Sequence, residues 1–236
     1  MPVLLFFHGG GLVLGTLDSA GGIRRRLAER GETMAIAVDY QLAPEHPLPT
    51  VLEDVRSAVQ WVGENAPALG GDRSRIGVGG TTAGGNLAAA TAIRSRTFDG
   101  PDAARRLLAY PITNHAFDTG SYRENAEGPL LTRADMEWFW EQYLRSPVDG
   151  YNPFAAPLRA PPALLGGLAP ATVLTAGFDP LREEGRAYVE CPEEAGVAVD
   201  HRHYPDLPHG FLSLAEQSDR ADHGTSEAAR SLRSSI

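Results

Sequence analysis

Short apolar segments alternate with longer helix-forming segments along this chain of 236 residues. This alternation limits the fold strongly, because apolar runs separated by helices are typical of a parallel sheet covered by helices on both faces. The apolar runs predict strands near residues 3–7, 34–39, 75–79, 107–110, 171–176 and 199–204. The other segments predict helices near 20–30, 51–65, 83–95, 132–144, 181–196 and 212–234. With 42% hydrophobic residues the chain can form one large core, so we expect a single α/β domain over residues 1–236.

The stretch from about 112 to 166 is richer in prolines, loops and aromatic residues than the rest of the chain. We expect it to form a lid-like region over the carboxyl end of the sheet. Its aromatic cluster favours helix core over substrate contact; the members are Trp138, Phe139, Trp140 and Tyr143. In the later helical segment, Pro192 removes a hydrogen bond and clashes with the preceding turn, so the helix should kink or restart there.

Residues 77–86 form a glycine-rich turn between a predicted strand and a predicted helix. Gly80, Thr82 and Gly84 occupy the first, third and fifth places of the pattern Gly-x-Ser-x-Gly, the sharp turn that presents a nucleophilic hydroxyl above a sheet. Thr82 stands where that pattern has serine. A turn of this kind is also an ordinary strand-to-helix connection, so the motif needs support from elsewhere in the chain.

A second glycine-rich motif, His8-Gly9-Gly10-Gly11, directly follows the first predicted strand. It matches the loop whose backbone N–H groups stabilise an oxyanion in lipases and esterases, where glycine lets the backbone approach closely. A plain glycine-rich loop or a phosphate cradle are the alternatives. A phosphate cradle would require a following Lys-Ser/Thr or a Gly-x-Gly-x-x-Gly pattern, and the sequence has neither.

Asp179 and His209 each follow a predicted strand. Alone, Asp179 before Pro180 is also typical of a helix N-cap, and His209 is one of seven histidines, most of which would be surface or satisfied core residues. Their order decides between these interpretations. The turn with the hydroxyl residue comes first along the chain, the acid second and the histidine third. This is the order in hydrolases that have a central sheet and a catalytic triad.

Six segments together resemble the hormone-sensitive-lipase family of α/β-hydrolases, in its bacterial esterase branch. They are His8–Gly11, Asp39–Pro47, Gly80–Gly84, Tyr122–Asn125, Asp179–Arg182 and His209–Phe211. The resemblance implies the α/β-hydrolase fold and hydrolysis of small carboxylic esters through an acyl-enzyme. It places the nucleophile at Thr82, the acid at Asp179 and the base at His209. The oxyanion donors would be the N–H groups of Gly10, Gly11 and Ala83.

The chain departs from the family pattern at several points. Thr81 and Thr82 replace the usual Asp-Ser pair, and Gln41 stands where the family has arginine, which weakens the support of its loop. Family members also carry an N-terminal segment that holds the first strands and part of a helical cap. We therefore expect a partly missing cap and a strand at 34–39 without a neighbour on one side, an edge that invites pairing into a homodimer.

Two interpretations of function remain open. The chain is a working esterase, which His209, Asp179 and the loop Gly9–Gly11 favour. Alternatively it is a catalytically silent family member that binds small molecules, which Thr82, Pro192 and the absent cap favour.

Charge and composition exclude other classes of function. The net charge of −9 argues against nucleic-acid binding. The one cysteine, Cys191, lies in a predicted helix, is interpreted as structural, and suits a reducing compartment. The first apolar run is too short for an export signal, so we expect a cytoplasmic protein with no membrane span. Histidines and acids do not fall at metal-ligand spacing, so we expect neither a metal ion nor a cofactor.

Overall fold

Six strands form one sheet in the computed structural model, which describes residues 1–98 and 100–233. The strand order is β2-β1-β3-β4-β5-β6, and every neighbouring pair is parallel. The strands are β1 Val3–Phe7, β2 Met34–Ala37, β3 Ile76–Thr81, β4 Arg105–Ala109, β5 Ala171–Phe178 and β6 Val199–Pro208. The predicted parallel sheet is therefore confirmed, with each strand close to its expected position.

Helices fill the connections between the strands. They are α1 Gly21–Gly31, α2 Thr50–Asn65, α3 Ala83–Thr97, α4 Gly120–Glu124, α5 Arg133–Tyr143, α6 Pro162–Leu165, α7 Arg182–Glu194 and α8 Asp219–Arg233. Short 3-10 turns lie at Ala66–Leu69, Pro147–Tyr151, Pro157–Arg159 and Phe211–Leu214. No helix in the described ranges is both long and apolar enough to cross a membrane.

Strand β1 illustrates how the core lies on both faces of the sheet. Side chains alternate along a strand, so Val3, Leu5 and Phe7 pack on one face while Leu4 and Phe6 pack on the other. The first face is covered by apolar residues of α2, α3 and α7, and the second by those of α1 and α8. A strand buried on both faces has no polar alternation, which is why it appears in the sequence as a continuous apolar run.

Strand β4 begins two residues earlier than its apolar run predicts, because two arginines belong to it. Arg106 is fully buried; its Nη1 donates to the Tyr188 hydroxyl and its Nε to the Ala169 carbonyl, both at 2.9 Å. Arg105 donates to the Thr172 hydroxyl at 2.7 Å. The arginine stems pack like apolar chains while the guanidinium groups find acceptors, and composition alone does not reveal this.

Two helix predictions need correction. Helix α7 continues through Pro192 without a restart, so that part of the expectation was wrong, while the kink stays a prediction. Pro192 lies in the last turn of α7. Because the helix ends at Glu194, the hydrogen bond that proline cannot donate is lost only at its C-terminal end. Helix α8 begins at Asp219 and not at 212, since the 3-10 turn Phe211–Leu214 precedes it; residue 234 of that prediction lies outside the described residues.

The predicted aromatic cluster divides between core and surface. Helix α5 begins with a capping box, in which Thr132 and Asp135 bond to each other's backbone N–H groups. Trp140 and Tyr143 are buried in the core that includes the sheet, as predicted, whereas Trp138 is 46% exposed. Phe139 lies between them at the edge of the core. One face of α5 therefore belongs to the core and the other faces outward.

Candidate active site

The sharp turn between β3 and α3 holds Thr82 in an unusual backbone conformation, with φ 53° and ψ −109°. Positive φ is rare for a β-branched residue, because Cβ crowds the neighbouring carbonyl oxygen. Hydrogen bonds on both sides hold it there. The Thr82 N–H donates to the Ala109 carbonyl at 3.0 Å, and the Thr82 carbonyl accepts from the N–H of Asn86 at 3.0 Å and of Ile112 at 3.2 Å.

Glycine at position 84 lets this turn cross strand β1 at close range. A Cβ at Gly84 would lie 1.9 Å from the Phe7 carbonyl oxygen, well inside van der Waals contact. Gly80, at the other end of the motif, also lies against this carbonyl. The spacing Gly80-x-Thr82-x-Gly84 therefore follows from packing against β1 as well as from the turn itself.

Three buried side chains form one continuous chain of hydrogen bonds. The Thr82 hydroxyl lies 2.8 Å from His209 Nε2, and His209 Nδ1 lies 2.8 Å from Asp179 Oδ2. A carboxylate only accepts, so Nδ1 carries the proton and Nε2 is free to accept the hydroxyl proton. Thr82, His209 and Asp179 are 8%, 6% and 0% exposed. The chain order therefore predicted correctly that these three side chains meet.

Neighbouring strands bring the acid and the histidine together. Asp179 follows β5 and His209 follows β6, and these two strands are paired in parallel. The His209 N–H donates to the Phe178 carbonyl at 3.0 Å. Asp179 Oδ1 accepts from the Leu181 N–H at 2.8 Å, which leaves Oδ2 for the histidine. The Tyr110 and His209 rings form a T-shaped contact with 4.9 Å between centroids, so the imidazole is also held by an aromatic contact.

The N–H groups of Gly10, Gly11 and Ala83 have no acceptor among the residues that the structure describes. Gly10 and Gly11 follow β1, and Ala83 is the first residue of α3, directly after Thr82. The ring of Phe139 lies over Gly11, since a Cβ at Gly11 would be 2.2 Å from its Cγ. Unpaired N–H groups beside a hydroxyl at a helix N-terminus can bind a developing negative charge.

His8 and Gly9 support this loop from behind. The His8 ring stacks on Tyr40 with 4.3 Å between centroids, and His8 Nδ1 donates to the Gly9 carbonyl at 2.7 Å. Burial lowers the pKa of His8, so it stays neutral near pH 7. The backbone of Gly9 passes close to the hydroxyl groups of Thr81 and Thr82. His8 and Gly9 therefore support the shape of the loop, and the backbone N–H groups of Gly10 and Gly11 remain for polar contacts.

Comparison with known proteins agrees with this geometry. A family model described as alpha/beta hydrolase fold matches residues 4–213. The chain belongs to the α/β-hydrolases. This α/β-hydrolase is 41% identical over 241 aligned residues to the carboxylic ester hydrolase LipN of Mycobacterium tuberculosis, with 100% of the chain and 64% of LipN covered. It is 38% identical to the carboxylesterase NlhH of the same organism, with 100% of the chain and 74% of NlhH covered.

Solved structures give the same result. A thermostable esterase from Pseudomonas putida superposes with a TM-score of 0.97 at 36% identity, covering 100% of the chain and 74% of that esterase. The resemblance to hormone-sensitive-lipase-like bacterial esterases is thus confirmed. The α/β-hydrolase spans 64% to 74% of the length of these three proteins.

Several contacts of this α/β-hydrolase site were not found from the sequence. Tyr110 and Ile112 follow β4 and hold His209 and Thr82, but no motif marks them. Gln41 is exposed; its backbone N–H donates to Asp54 at 2.9 Å, and its side-chain amide lies 3.3 Å from the His46 ring nitrogens, so it supports its loop through both. Cys191 lies at the other end of α7 from Asp179, and burial raises the pKa of its thiol, consistent with a structural role.

Proposed function

We propose that this α/β-hydrolase cleaves small carboxylic esters through an acyl-enzyme, with Thr82 as nucleophile, His209 as base and Asp179 as orienting acid. The observation that carries the proposal is the hydrogen-bond chain from the Thr82 hydroxyl through His209 to Asp179, with 2.8 Å at each step. The esterase relatives that cover the whole chain support the same reaction. No metal ion or cofactor is needed for it.

The reaction proceeds in two halves. The Thr82 oxygen attacks the ester carbonyl carbon while its proton moves to His209 Nε2, and the carbonyl oxygen becomes an oxyanion that the N–H groups of Gly10, Gly11 and Ala83 stabilise. The C–O bond to the alcohol then breaks, and His209 returns its proton to the leaving alkoxide. Water attacks the acyl-threonine with His209 again as base, which releases the carboxylic acid and restores the Thr82 hydroxyl.

Asp179 acts through the histidine. Its carboxylate accepts the Nδ1 proton, fixes the tautomer that leaves Nε2 unprotonated, and stabilises the imidazolium that forms during attack. Because Asp179 is fully buried, water does not compete for this bond.

In the structure, the conformation of Thr82 is the observation that favours the alternative, a silent protein that only binds small molecules. Thr82 is β-branched and has positive φ, so its methyl group restricts the hydroxyl and crowds the space next to it. Turnover of p-nitrophenyl acetate by purified wild type, Thr82→Ser and Thr82→Ala separates the two. Wild-type turnover above that of Thr82→Ala supports the esterase; equal inactivity of all three variants rejects it.

We also propose that residues 112–166 act as a lid-like region of a single domain. Phe139 lies over Gly11, and Trp140 and Tyr143 join the core shared with the sheet. A Phe139→Ala variant tests this region: it should change KM for esters of different acyl length unequally, whereas a uniform change in kcat would contradict contact with the substrate.

We propose further that the free edge of β2 pairs with a second copy of the chain. Among the described strands β2 is bonded only to β1, and its four residues are half-buried, so unpaired N–H and carbonyl groups line its outer side. Light scattering over a micromolar concentration range tests this. A dimer that an Ala35→Pro variant abolishes supports pairing through β2, because the Ala35 N–H lies on the outer side of the strand, and a monomer at every concentration rejects it.

The cytoplasm is the compartment we propose for this protein. Cys191 is its one cysteine and is unpaired, as a reducing environment favours. Fractionation of cells that produce the chain tests this, and recovery outside the cytoplasmic fraction would reject it.

A further inference from the structure

Glu184 is a buried carboxyl group that the proposed reaction does not use. It lies in the first turn of α7 and is 2% exposed. Its Oε1 accepts from the N–H of Thr113 at 2.6 Å and of Asn114 at 3.2 Å. The Thr113 hydroxyl donates to the Glu184 carbonyl at 3.0 Å. A carboxyl group buried in this way requires a reason, because its desolvation opposes folding.

The backbone that Glu184 binds is the same segment that holds the nucleophile. Thr113 directly follows Ile112, whose N–H donates to the Thr82 carbonyl at 3.2 Å. At the start of this segment the Ala109 carbonyl accepts from the Thr82 N–H at 3.0 Å. Residues 109–114 therefore connect the Thr82 backbone to the Glu184 carboxyl group.

Glu184 is also one helical turn from the acid. Asp179 Oδ1 accepts from the Leu181 N–H at 2.8 Å, and the Leu181 carbonyl accepts from the Gly185 N–H at 2.9 Å. The turn that carries Asp179 is thus continuous with the turn that carries Glu184. A displacement of one is transmitted to the other, because both belong to the same hydrogen-bonded start of α7.

We propose that Glu184 is a positioning residue, which fixes the distance between the nucleophile turn and the acid turn by holding residues 109–114 against α7. This rests on the proposed function, since it assigns Glu184 to the reaction of Thr82, His209 and Asp179. The Thr82 turn needs this support because Thr82 has positive φ. A strained turn keeps its geometry only where its surroundings hold it. Glu184 acts through the backbone and touches no reacting atom.

The proposal gives the site a dependence on pH. Burial, aided by the charge of Asp179, raises the pKa of Glu184 to about 8. Asp179 and the Tyr122 hydroxyl are the titratable groups that face it. Above pH 8 Glu184 therefore carries a second negative charge beside Asp179, and the repulsion between the two carboxylates opposes the geometry of the acid turn.

Two variants of Glu184 test this. Glu184→Gln keeps an oxygen that accepts from Thr113 and Asn114 but cannot ionise, and Glu184→Leu removes the acceptor at similar volume. We expect Glu184→Leu to lower kcat for p-nitrophenyl acetate about tenfold or more with KM nearly unchanged, because only positioning is lost. Glu184→Gln should restore kcat at pH 7 to within about threefold. Glu190→Leu and Glu190→Gln, on the exposed face of the same helix, are the matched controls.

The pH profile separates positioning from general stability. Wild-type kcat should decline above about pH 8, and the decline should be absent in Glu184→Gln. Equal kcat of Glu184→Leu and Glu190→Leu would overturn the proposal, and so would an unchanged alkaline decline in Glu184→Gln. If Glu184→Leu does not fold, the comparison of wild type with Glu184→Gln decides alone.

A readout without turnover distinguishes this inference from the proposed function. The NMR resonance of the His209 Nδ1 proton should shift between pH 7 and 9 in wild type and not in Glu184→Gln. If neither wild type nor Thr82→Ser hydrolyses the ester, the proposed function fails, and this titration still tests the link. The same shift in both proteins would overturn it.

Discussion

The two halves of the site are built differently. Asp179 and His209 come from adjacent parallel strands, follow the family pattern, and are fixed by bonds to Leu181 and Phe178 and by the ring of Tyr110. The half that carries Thr82 departs from the family pattern, and its central residue has positive φ. We call the half with Asp179 and His209, neither of which has positive φ, the relaxed half, and the half with Thr82 the strained half.

For the proposed reaction, this difference predicts that the Thr82 half limits the rate. A β-branched residue at positive φ stores strain on the order of 1–3 kcal/mol and leaves its hydroxyl few rotamers. The Asp179–His209 half adds no such restriction. Substitutions in the two halves should therefore have opposite results, with losses in the first and a gain available in the second.

The largest effect is expected in the relaxed half. Asp179→Asn keeps the shape but removes the acceptor that fixes the histidine tautomer, so kcat should fall by on the order of 10⁴-fold. The control is Asp206→Asn, because Asp206 is an exposed residue of β6 that pairs with Arg220. This variant should keep wild-type activity. Steady-state kinetics on p-nitrophenyl acetate measures both. A fall of less than tenfold in Asp179→Asn would mean that this half does not orient the base.

In the strained half we expect a gain. Thr82→Ser removes the methyl group and keeps the hydroxyl, so kcat/KM should rise by on the order of a hundredfold, the cost of about 1 Å of misplacement. The order serine, threonine, alanine in kcat/KM is the expected result on one short ester. Serine equal to threonine would show that strain at this turn does not limit the rate.

Substitutions that disturb packing around the turn should have smaller effects than Asp179→Asn and Thr82→Ser. They should change the stability of the fold more than the reaction rate. Gly84→Ala places a Cβ 1.9 Å from the Phe7 carbonyl oxygen in wild-type geometry, and should lower the free energy of unfolding by about 2 kcal/mol. Gly63→Ala, in α2 with open space around it, should slightly raise it. Urea denaturation of both variants checks this. Equal stability of the two variants would show that packing against β1 does not require glycine at position 84.

Measured per pH unit, the smallest effect is the pH dependence of stability. The pKa of Glu184 in the folded chain is raised to about 8, so folding binds a proton between the unfolded pKa and pH 8. The associated stability is present at low pH and lost as pH rises to 8, at about 1 kcal/mol per pH unit. The difference between wild type and Glu184→Gln in urea denaturation should therefore change from pH 5 to pH 8. Parallel curves would place the titrating group elsewhere.

Much of this structure could be predicted from the sequence, for identifiable reasons. Strands such as Val3–Phe7 are buried on both faces, so their apolar runs mark them directly. Chain order and strand-end placement predicted that Thr82, Asp179 and His209 would meet. The start of β4 could not be predicted, because the sequence alone does not distinguish a buried arginine such as Arg106 from a surface residue.

The role that we assign to Glu184 could not be found in the same way. An acidic residue in the first turn of a helix is ordinary, since it interacts favourably with the helix dipole. Its partners are the backbone N–H groups of Thr113 and Asn114, about 70 residues away in the chain, and backbone groups leave no signature in a sequence. Long-range contacts to the main chain are where sequence reasoning ends.

The contact between Phe139 and Gly11 links helix α5 to the loop that carries two of the proposed oxyanion donors. Phe139 is carried by α5, which also presents Trp138 to solvent. Under the proposed reaction, a displacement of α5 would therefore change the surroundings of the Gly11 N–H group and with them the stabilisation of the oxyanion.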